Sequence, residues 1–174
     1  TIELTDKGKD QAFEAGQRLK EVVGDEPLYF YVSPFWRTRA TFEHIARTIP
    51  REQFRYNEEP RLREQEFGYL RTHEEFLKIL EERKEYGSFY YRFEGGEAAS
   101  DVYDRINDFL GSLFRDMRKP DFPKNIVLVT HSLAIRLFIM RWFHLTVEEF
   151  EAMKSPKNGQ LKKKKKESDQ EHYQ

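Results

Sequence analysis

The chain has 174 residues, enough for one domain with a real hydrophobic core. Hydrophobic residues make up 38% and charged residues 35%, which predicts a soluble globular protein with a well-solvated surface. Because there is no cysteine, disulfides, thiolate catalysis and zinc–thiolate sites are excluded, and a cytoplasmic location is favoured. The net charge of -1 gives no overall attraction to nucleic acid or to an anionic membrane.

The first third of the chain predicts a helix, a strand and a second helix. Thr5-Asp6 is typical of a helix start, because a capping hydroxyl precedes an acid, and Gly24 is typical of a helix end. Residues 28–32 form a continuous apolar run, as in strands of a parallel sheet that are buried on both faces. The second helix is predicted over residues 37–47. The polar stretch at residues 51–60 is expected to be irregular.

The remaining elements continue the alternation of helices and strands. They are predicted at residues 62–70 (a short extended or turn segment), 73–84 (a charged surface helix), 88–93 (aromatic core or lid), 100–117 (helix), 126–129 (strand) and 134–143 (helix). This order predicts an α/β fold, a three-layer α/β/α sandwich with a mostly parallel central sheet. Residues 161–174, with lysines at 162–166, are expected to form a polar tail or edge strand; a basic patch for anionic partners is the alternative.

The strand at residues 126–129 leads directly into Thr130, His131 and the start of a helix. That order places an imidazole at the carboxyl end of a sheet and beside a helix N-terminus. Open α/β sheets bind ligands at this edge, and helix N-termini favour anions. Two other segments, residues 33–37 and 62–68, fit the same position. The sequence therefore predicts an anion-binding site at the carboxyl end of the sheet.

Five segments with functional residue types follow one another along the chain. They are residues 4–12, residues 33–41, residues 62–68, Gly95-Gly96-Glu97 with Asp101, Val102 and Arg105, and Val129-Thr130-His131. Each is weak alone, but together and in this order they resemble the histidine phosphatase superfamily, whose members are also called phosphoglycerate mutase-like proteins. The resemblance covers nearly the whole chain and implies the phosphoglycerate mutase-like fold.

The resemblance also implies a mechanism. In the family, an N-terminal Arg-His-Gly triplet at the end of the first strand supplies a nucleophilic histidine that accepts the phosphoryl group. A second histidine and two arginines hold the phosphate, and a carboxylate protonates the leaving oxygen and then activates water. By this resemblance Arg37 binds the phosphate, His131 is the second histidine and Glu64 is the proton donor. Arginine suits the role because its planar fork binds two oxygens, and a histidine beside a phosphate is expected to be protonated.

Two features depart from the family pattern. No Arg-His-Gly triplet occurs in the sequence, and only residues 1–3 precede Leu4. The family's first strand, which we expect between the strands that carry the other motifs, is missing with it. We therefore interpret residues 1–174 as a single domain truncated at its N-terminus and inactive by itself. Ser132 stands where the family usually has glycine, and we expect its hydroxyl to contact the phosphate or to narrow the approach to it.

Three functions remain open from the sequence. The first is a phosphomonoester hydrolase that acts through a phosphohistidine on a small phosphorylated substrate, and the short segment between Gly68 and Gly95 favours it, because the family's mutases carry a longer one. The second is a phosphoglycerate mutase-type phosphotransferase. The third is a non-catalytic phospho-ligand-binding or interaction domain. No metal or other cofactor is expected, since the histidines show no metal-ligand spacing. The oligomeric state is left open.

Overall fold

The computed structural model describes residues 4–69 and 71–160, so the predicted polar tail at 161–174 lies outside the described residues. The helices and strands are α1 (Asp6–Val23), β1 (Leu28–Val32), α2 (Trp36–Ala46), β2 (Phe54–Glu58), α3 (His73–Tyr86), α4 (Ala99–Met117), β3 (Asn125–Val129), α5 (Ser132–Trp142) and α6 (Val147–Ala152). Short 3-10 helices cover Arg51–Gln53 and Pro60–Leu62. No helix in the described ranges is both long and apolar enough to cross a membrane.

The three strands form one parallel sheet in the order β2-β1-β3. β1 pairs over its full length with both neighbours, so that Val32 lies opposite Glu58 on one side and opposite Val129 on the other. All three strands therefore end at the same edge of the sheet. The segments that follow them meet at this edge.

Helices cover both faces of the sheet and make the predicted three layers. On one face α1 and α2 pack against the sheet through a buried cluster: Leu19, Val23, Leu28, Phe30, Val32, Phe42, Ile45, Ile49, Phe54 and Val129. On the other face Tyr31 of β1 packs with buried side chains of α4, α5 and α6, among them Ile106, Phe109, Leu137 and Phe150. The expected α/β/α sandwich with a parallel sheet is confirmed, with a sheet that is small in the described ranges.

The helix starts follow the local signals in the sequence. The Thr5 side chain accepts a hydrogen bond from the Gly8 amide at 3.1 Å, and α1 ends at Gly24, whose φ is 58°. At the start of α4, the Asp101 carboxylate accepts a hydrogen bond from the Ala98 amide at 2.8 Å. These contacts satisfy backbone groups that the helix itself leaves unpaired.

The prediction of irregular structure at residues 51–60 is wrong, because β2 lies there. Only Phe54 of this strand is buried, while Arg55 is exposed and Tyr56 is 49% exposed. β2 lies at the edge of the described sheet, so its side chains show little of the apolar pattern that marks a buried strand. Backbone pairing with β1, a contact distant along the chain, makes this segment a strand.

The expected position of the family's first strand is also wrong. β1 and β3 are direct neighbours, and the ladder continues beyond them, where the Ser33 amide donates to the Val129 carbonyl at 2.9 Å. A further strand can therefore join the described sheet only at an outer edge. Along the outer side of β3 runs a cavity of about 320 Å³, lined by side chains of α1, α4 and α5. Because these helices come from both faces of the sheet, the cavity lies at the strand edge.

Candidate active site

Three charged or titratable side chains meet at the carboxyl end of the sheet. Arg37 is the second residue of α2, Glu64 follows the 3-10 turn after β2, and His131 is the N-cap of α5 just after β3. The short connections from each strand to the next element fix these positions. The structure thus brings together the three residues that the sequence proposed as catalytic.

Arg37 lies at the centre of the group. Its Nη2 donates to His131 Nδ1 at 3.0 Å and to Glu64 Oε2 at 3.3 Å. Glu64 Oε2 lies 3.7 Å from His131 Nδ1. The side chain of His131 is 3% exposed, that of Glu64 18% and that of Arg37 43%. The imidazole therefore forms the floor of the site, and the guanidinium group lies at its mouth with donors that can reach a ligand.

Ser33 is a site residue to which the sequence analysis gave no role. Its Oγ lies 2.8 Å from His131 Nε2, and the residue is fully buried. Since a guanidinium group can only donate, His131 Nδ1 accepts from Arg37, and the ring proton lies on Nε2 and is donated to Ser33. The signal that marks Ser33 in the sequence is its position as a polar residue directly after the buried strand β1.

Thr38 and Phe35 hold the turn that carries Ser33. Thr38 Oγ1 donates to the Ser33 carbonyl at 2.9 Å and to the Phe35 carbonyl at 2.8 Å. The Phe35 ring meets the His131 ring edge-on, with 5.2 Å between their centroids. These contacts leave the imidazole little freedom to rotate, so both of its nitrogen atoms keep their partners.

The pKa of His131 is lowered from 6.5 to about 4. Burial is the main cause, followed by the positive charges of Arg37 and Arg105. The imidazole is therefore neutral at pH 7 in this arrangement, as its hydrogen bonds also require. The protonated histidine expected from the sequence requires a bound anion whose charge outweighs both the burial of the ring and the two guanidinium groups.

We expect His131 to make the free energy of unfolding fall as the pH is lowered from 6.5 towards 4, by up to about 3 kcal/mol. In this window the unfolded chain binds a proton that the folded chain does not; above it the imidazole is neutral in both states, and the stabilisation is complete. Urea unfolding at several pH values would measure the slope. It should be shallower in His131→Asn. Equal slopes in the wild type and in His131→Asn would contradict the lowered pKa.

Ser132 is the first residue of α5 and is partly buried beside His131. It therefore lies at a helix N-terminus, where backbone amides favour an anion. Contact of its hydroxyl with a phosphate stays a prediction. Within residues 4–69 and 71–160, no group of three or more His, Cys, Asp or Glu side chains could hold a metal ion.

A model of the histidine phosphatase superfamily (branch 1) matches residues 1–172 of the chain. The chain belongs to this superfamily. It is similar to the phosphoglycerate mutase-like protein AT74 of Arabidopsis thaliana, with 41% identity over 92% of this chain and 55% of that protein. The broad-range acid phosphatase DET1 of Saccharomyces cerevisiae is 42% identical over 63% of this chain and 34% of that protein. This histidine phosphatase chain thus spans about half, or less, of the length of these two relatives.

Solved structures share the fold. A mycobacterial glucosyl-3-phosphoglycerate phosphatase in complex with inorganic phosphate superimposes with a TM-score of 0.74, covering 90% of this chain and 76% of that chain. The two sequences are 22% identical, so this likeness shows the fold alone. The phosphoglycerate mutase-like architecture expected from the five motifs is confirmed.

Proposed function

We propose that this histidine phosphatase is a phosphomonoester hydrolase that acts on a small phosphorylated substrate through a phosphohistidine intermediate. The observation that carries the proposal is the meeting of Arg37, Glu64 and His131 at the carboxyl end of the sheet. Arg37 and His131 suit the binding of a phosphoryl group, and Glu64 can transfer a proton. The acid phosphatase among the relatives supports hydrolysis. A cytoplasmic location belongs to the same proposal.

Each residue has a defined role in the proposed reaction. Arg37 exchanges its contacts with Glu64 and His131 for oxygens of the phosphoryl group, where its fork stabilises the charge that spreads during transfer. The bound anion raises the pKa of His131, which takes up a proton and then donates to a phosphoryl oxygen. Binding of phosphate is therefore coupled to the uptake of a proton.

Glu64 completes both halves of the reaction. In the first half, a nucleophilic nitrogen forms a bond to phosphorus while the bond to the leaving oxygen breaks, and the Glu64 carboxyl group gives that oxygen its proton. In the second half, the Glu64 carboxylate takes a proton from water. The water oxygen then bonds to phosphorus, the nitrogen–phosphorus bond breaks, and inorganic phosphate leaves.

We place the nucleophilic histidine on a segment outside this sequence, added as a strand along the outer edge of β3. The apolar cavity along that edge supports this position. Its lining includes Thr130, next to His131, so the cavity reaches the carboxyl end of β3. Neighbouring strands lie about 4.8 Å apart. A histidine at the end of an added parallel strand would therefore lie beside His131 and face the same phosphoryl group.

A mutase-type phosphotransferase is the second candidate, supported by the name of the Arabidopsis relative. The segment from Gly68 to Gly95 holds one helix, α3, in its described part, and the partly exposed Arg37 marks an open mouth that admits water. This openness favours hydrolysis over transfer between substrate positions.

The test is to incubate the full natural chain with a panel of phosphate monoesters and to measure inorganic phosphate. Rapid quenching in alkali should trap an acid-labile phosphoenzyme, which mass spectrometry should place on a histidine. Isomerised substrate without phosphate release would favour the mutase. Binding of inorganic phosphate without turnover of any ester would favour a non-catalytic phospho-ligand-binding domain.

A further inference from the structure

We propose that Arg105 and Glu97 are positioning residues that fix the loop carrying Glu64 for proton transfer, an inference that rests on the proposed phosphatase function. Neither residue contacts Arg37 or His131 through a hydrogen bond in the described structure. Apart from the charge of Arg105, which helps to lower the pKa of His131, both act through the backbone of residues 61–66. That segment begins within the 3-10 helix Pro60–Leu62 and has no regular structure from residue 64 onwards.

The guanidinium group of Arg105, in α4, binds the backbone of the loop that carries Glu64. Its Nη1 donates to the carbonyl oxygens of Arg61 at 2.7 Å and Arg63 at 2.8 Å. Its Nη2 donates to the Glu64 carbonyl at 3.1 Å. One side chain thus satisfies three carbonyl groups that no helix or strand pairs. The planar fork suits this position because it binds the three carbonyl groups and the Glu97 carboxylate at the same time.

Glu97 binds the same loop and Arg105 at once. Its carboxylate accepts from Arg105 Nη2 at 3.0 Å and from the Glu66 amide at 3.0 Å. The backbone of Glu97 pairs with the loop as well, since its amide donates to the Glu66 carbonyl at 2.9 Å and its carbonyl accepts from Gln65 Nε2 at 2.8 Å. Residues 64–66 are therefore held on both sides.

The pair is largely buried, with side-chain exposures of 11% for Arg105 and 15% for Glu97. Burial raises the pKa of Glu97, but the hydrogen bonds from Arg105 and the Glu66 amide outweigh it, and the net pKa is lowered. Glu97 therefore stays charged, and its link to Arg105 persists across the working pH range. Such a charged pair, with its hydrogen bonds complete, is a rigid support.

The support determines where the Glu64 carboxyl group lies. The backbone amide of Gln65 donates to Glu64 Oε1 at 3.1 Å, which leaves Oε2 to face Arg37 and His131. If residues 61–66 shift, both the Gln65 amide and the Glu64 backbone shift with them. A displacement of about 1 Å in a reacting group can cost about 100-fold in rate. In the formation of the phosphoenzyme, the loss in rate should appear only with substrates whose leaving oxygen takes its proton from Glu64.

The test compares two substrates in the full natural chain. Arg105→Lys keeps the charge but offers three donors on one nitrogen in place of the guanidinium fork, which makes five hydrogen bonds here. Glu97→Gln keeps the shape but weakens the pair. With an alkyl phosphate, whose leaving oxygen needs a proton, we expect the single-turnover rate of phosphoenzyme formation to fall about 100-fold in either variant. With 4-nitrophenyl phosphate, whose leaving group departs unprotonated, we expect a loss below about 10-fold.

Two controls separate positioning from general damage. In the Glu64→Gln background, Arg105→Lys should add no further loss for the alkyl phosphate. Arg136→Gln removes another partly buried arginine, whose Nη2 donates to the Phe150 carbonyl at 2.9 Å, and should leave the ratio between the substrates unchanged. Equal losses for both substrates, or an additive loss in the Glu64→Gln background, would overturn the inference while phosphatase activity stands. A wild type that releases phosphate from neither substrate would refute the proposed function and this role together.

Discussion

Arg37→Ala should reduce phosphate release by the full natural chain by about 10³-fold or more. Arg37 is the half-exposed cation at the mouth of the site, and its Nη2 lies within hydrogen-bonding distance of both His131 and Glu64. Removing it takes away the fork that binds two phosphoryl oxygens and the charge that stabilises them during transfer. Steady-state kinetics with 4-nitrophenyl phosphate would measure the loss, because that substrate needs no proton from Glu64.

Arg39 provides a matched control on the same helix. Its Nη1 pairs with Glu58 Oε1 at 3.2 Å, and both side chains are about half exposed. Surface pairs of this kind contribute about 0–1 kcal/mol to stability. Arg39→Ala should therefore leave kcat within about 2-fold of the wild type, while Arg37→Lys, which keeps a charge without the fork, should fall between the wild type and Arg37→Ala. Unchanged turnover in Arg37→Ala would show that this arginine does not bind the phosphoryl group.

The sequence predicts the site well because the site depends on strand ends. Residues 33–37, 62–68 and 131 each follow a strand or the turn after it, and parallel strands end at a shared edge. β1 and β3 carry continuous apolar runs, which makes them recognisable. Once these strands are identified, their carboxyl ends bring Arg37 and His131 together.

The strand order could not be predicted in the same way. β2 shows one buried side chain, Phe54, so nothing local marks it as a strand. The direct pairing of β1 with β3 joins segments that are far apart along the chain, and no property of either segment determines its neighbour. The error in placing the family's first strand between them has this origin.

The protonation of His131 was likewise hidden from the sequence. It depends on how deeply the ring is buried and on which charges surround it, and two of those charges, on Arg37 and Arg105, come from helices distant in the chain. Ser33 shows the same limit. Its position after β1 is visible in the sequence, but its hydrogen bond to His131 Nε2 depends on the pairing of β1 with β3.

Glu64→Gln should slow the cleavage of alkyl phosphates by about 10²- to 10⁴-fold, the usual contribution of a general acid. The amide keeps an oxygen that can accept from the Gln65 amide, as Glu64 Oε1 does now, so the loop should stay in place. The side-chain amide has no acidic proton to give to the leaving oxygen. With 4-nitrophenyl phosphate, whose leaving group needs none, formation of the phosphoenzyme should change little. The comparison of single-turnover rates for the two substrates measures the proton transfer directly.

Glu66→Gln is the matched control for this substitution. Glu66 lies two residues further along the same loop with its side chain exposed, and it is its backbone, not its carboxylate, that pairs with Glu97. Glu66→Gln therefore changes the net charge by the same amount as Glu64→Gln and leaves the support of the loop intact. Both substrates should react at wild-type rates. A loss in Glu64→Gln that is equal for both substrates would show that the carboxyl group holds Arg37 in place rather than donating a proton. In that case the contact at 3.3 Å between Arg37 Nη2 and Glu64 Oε2 would be the one that catalysis needs.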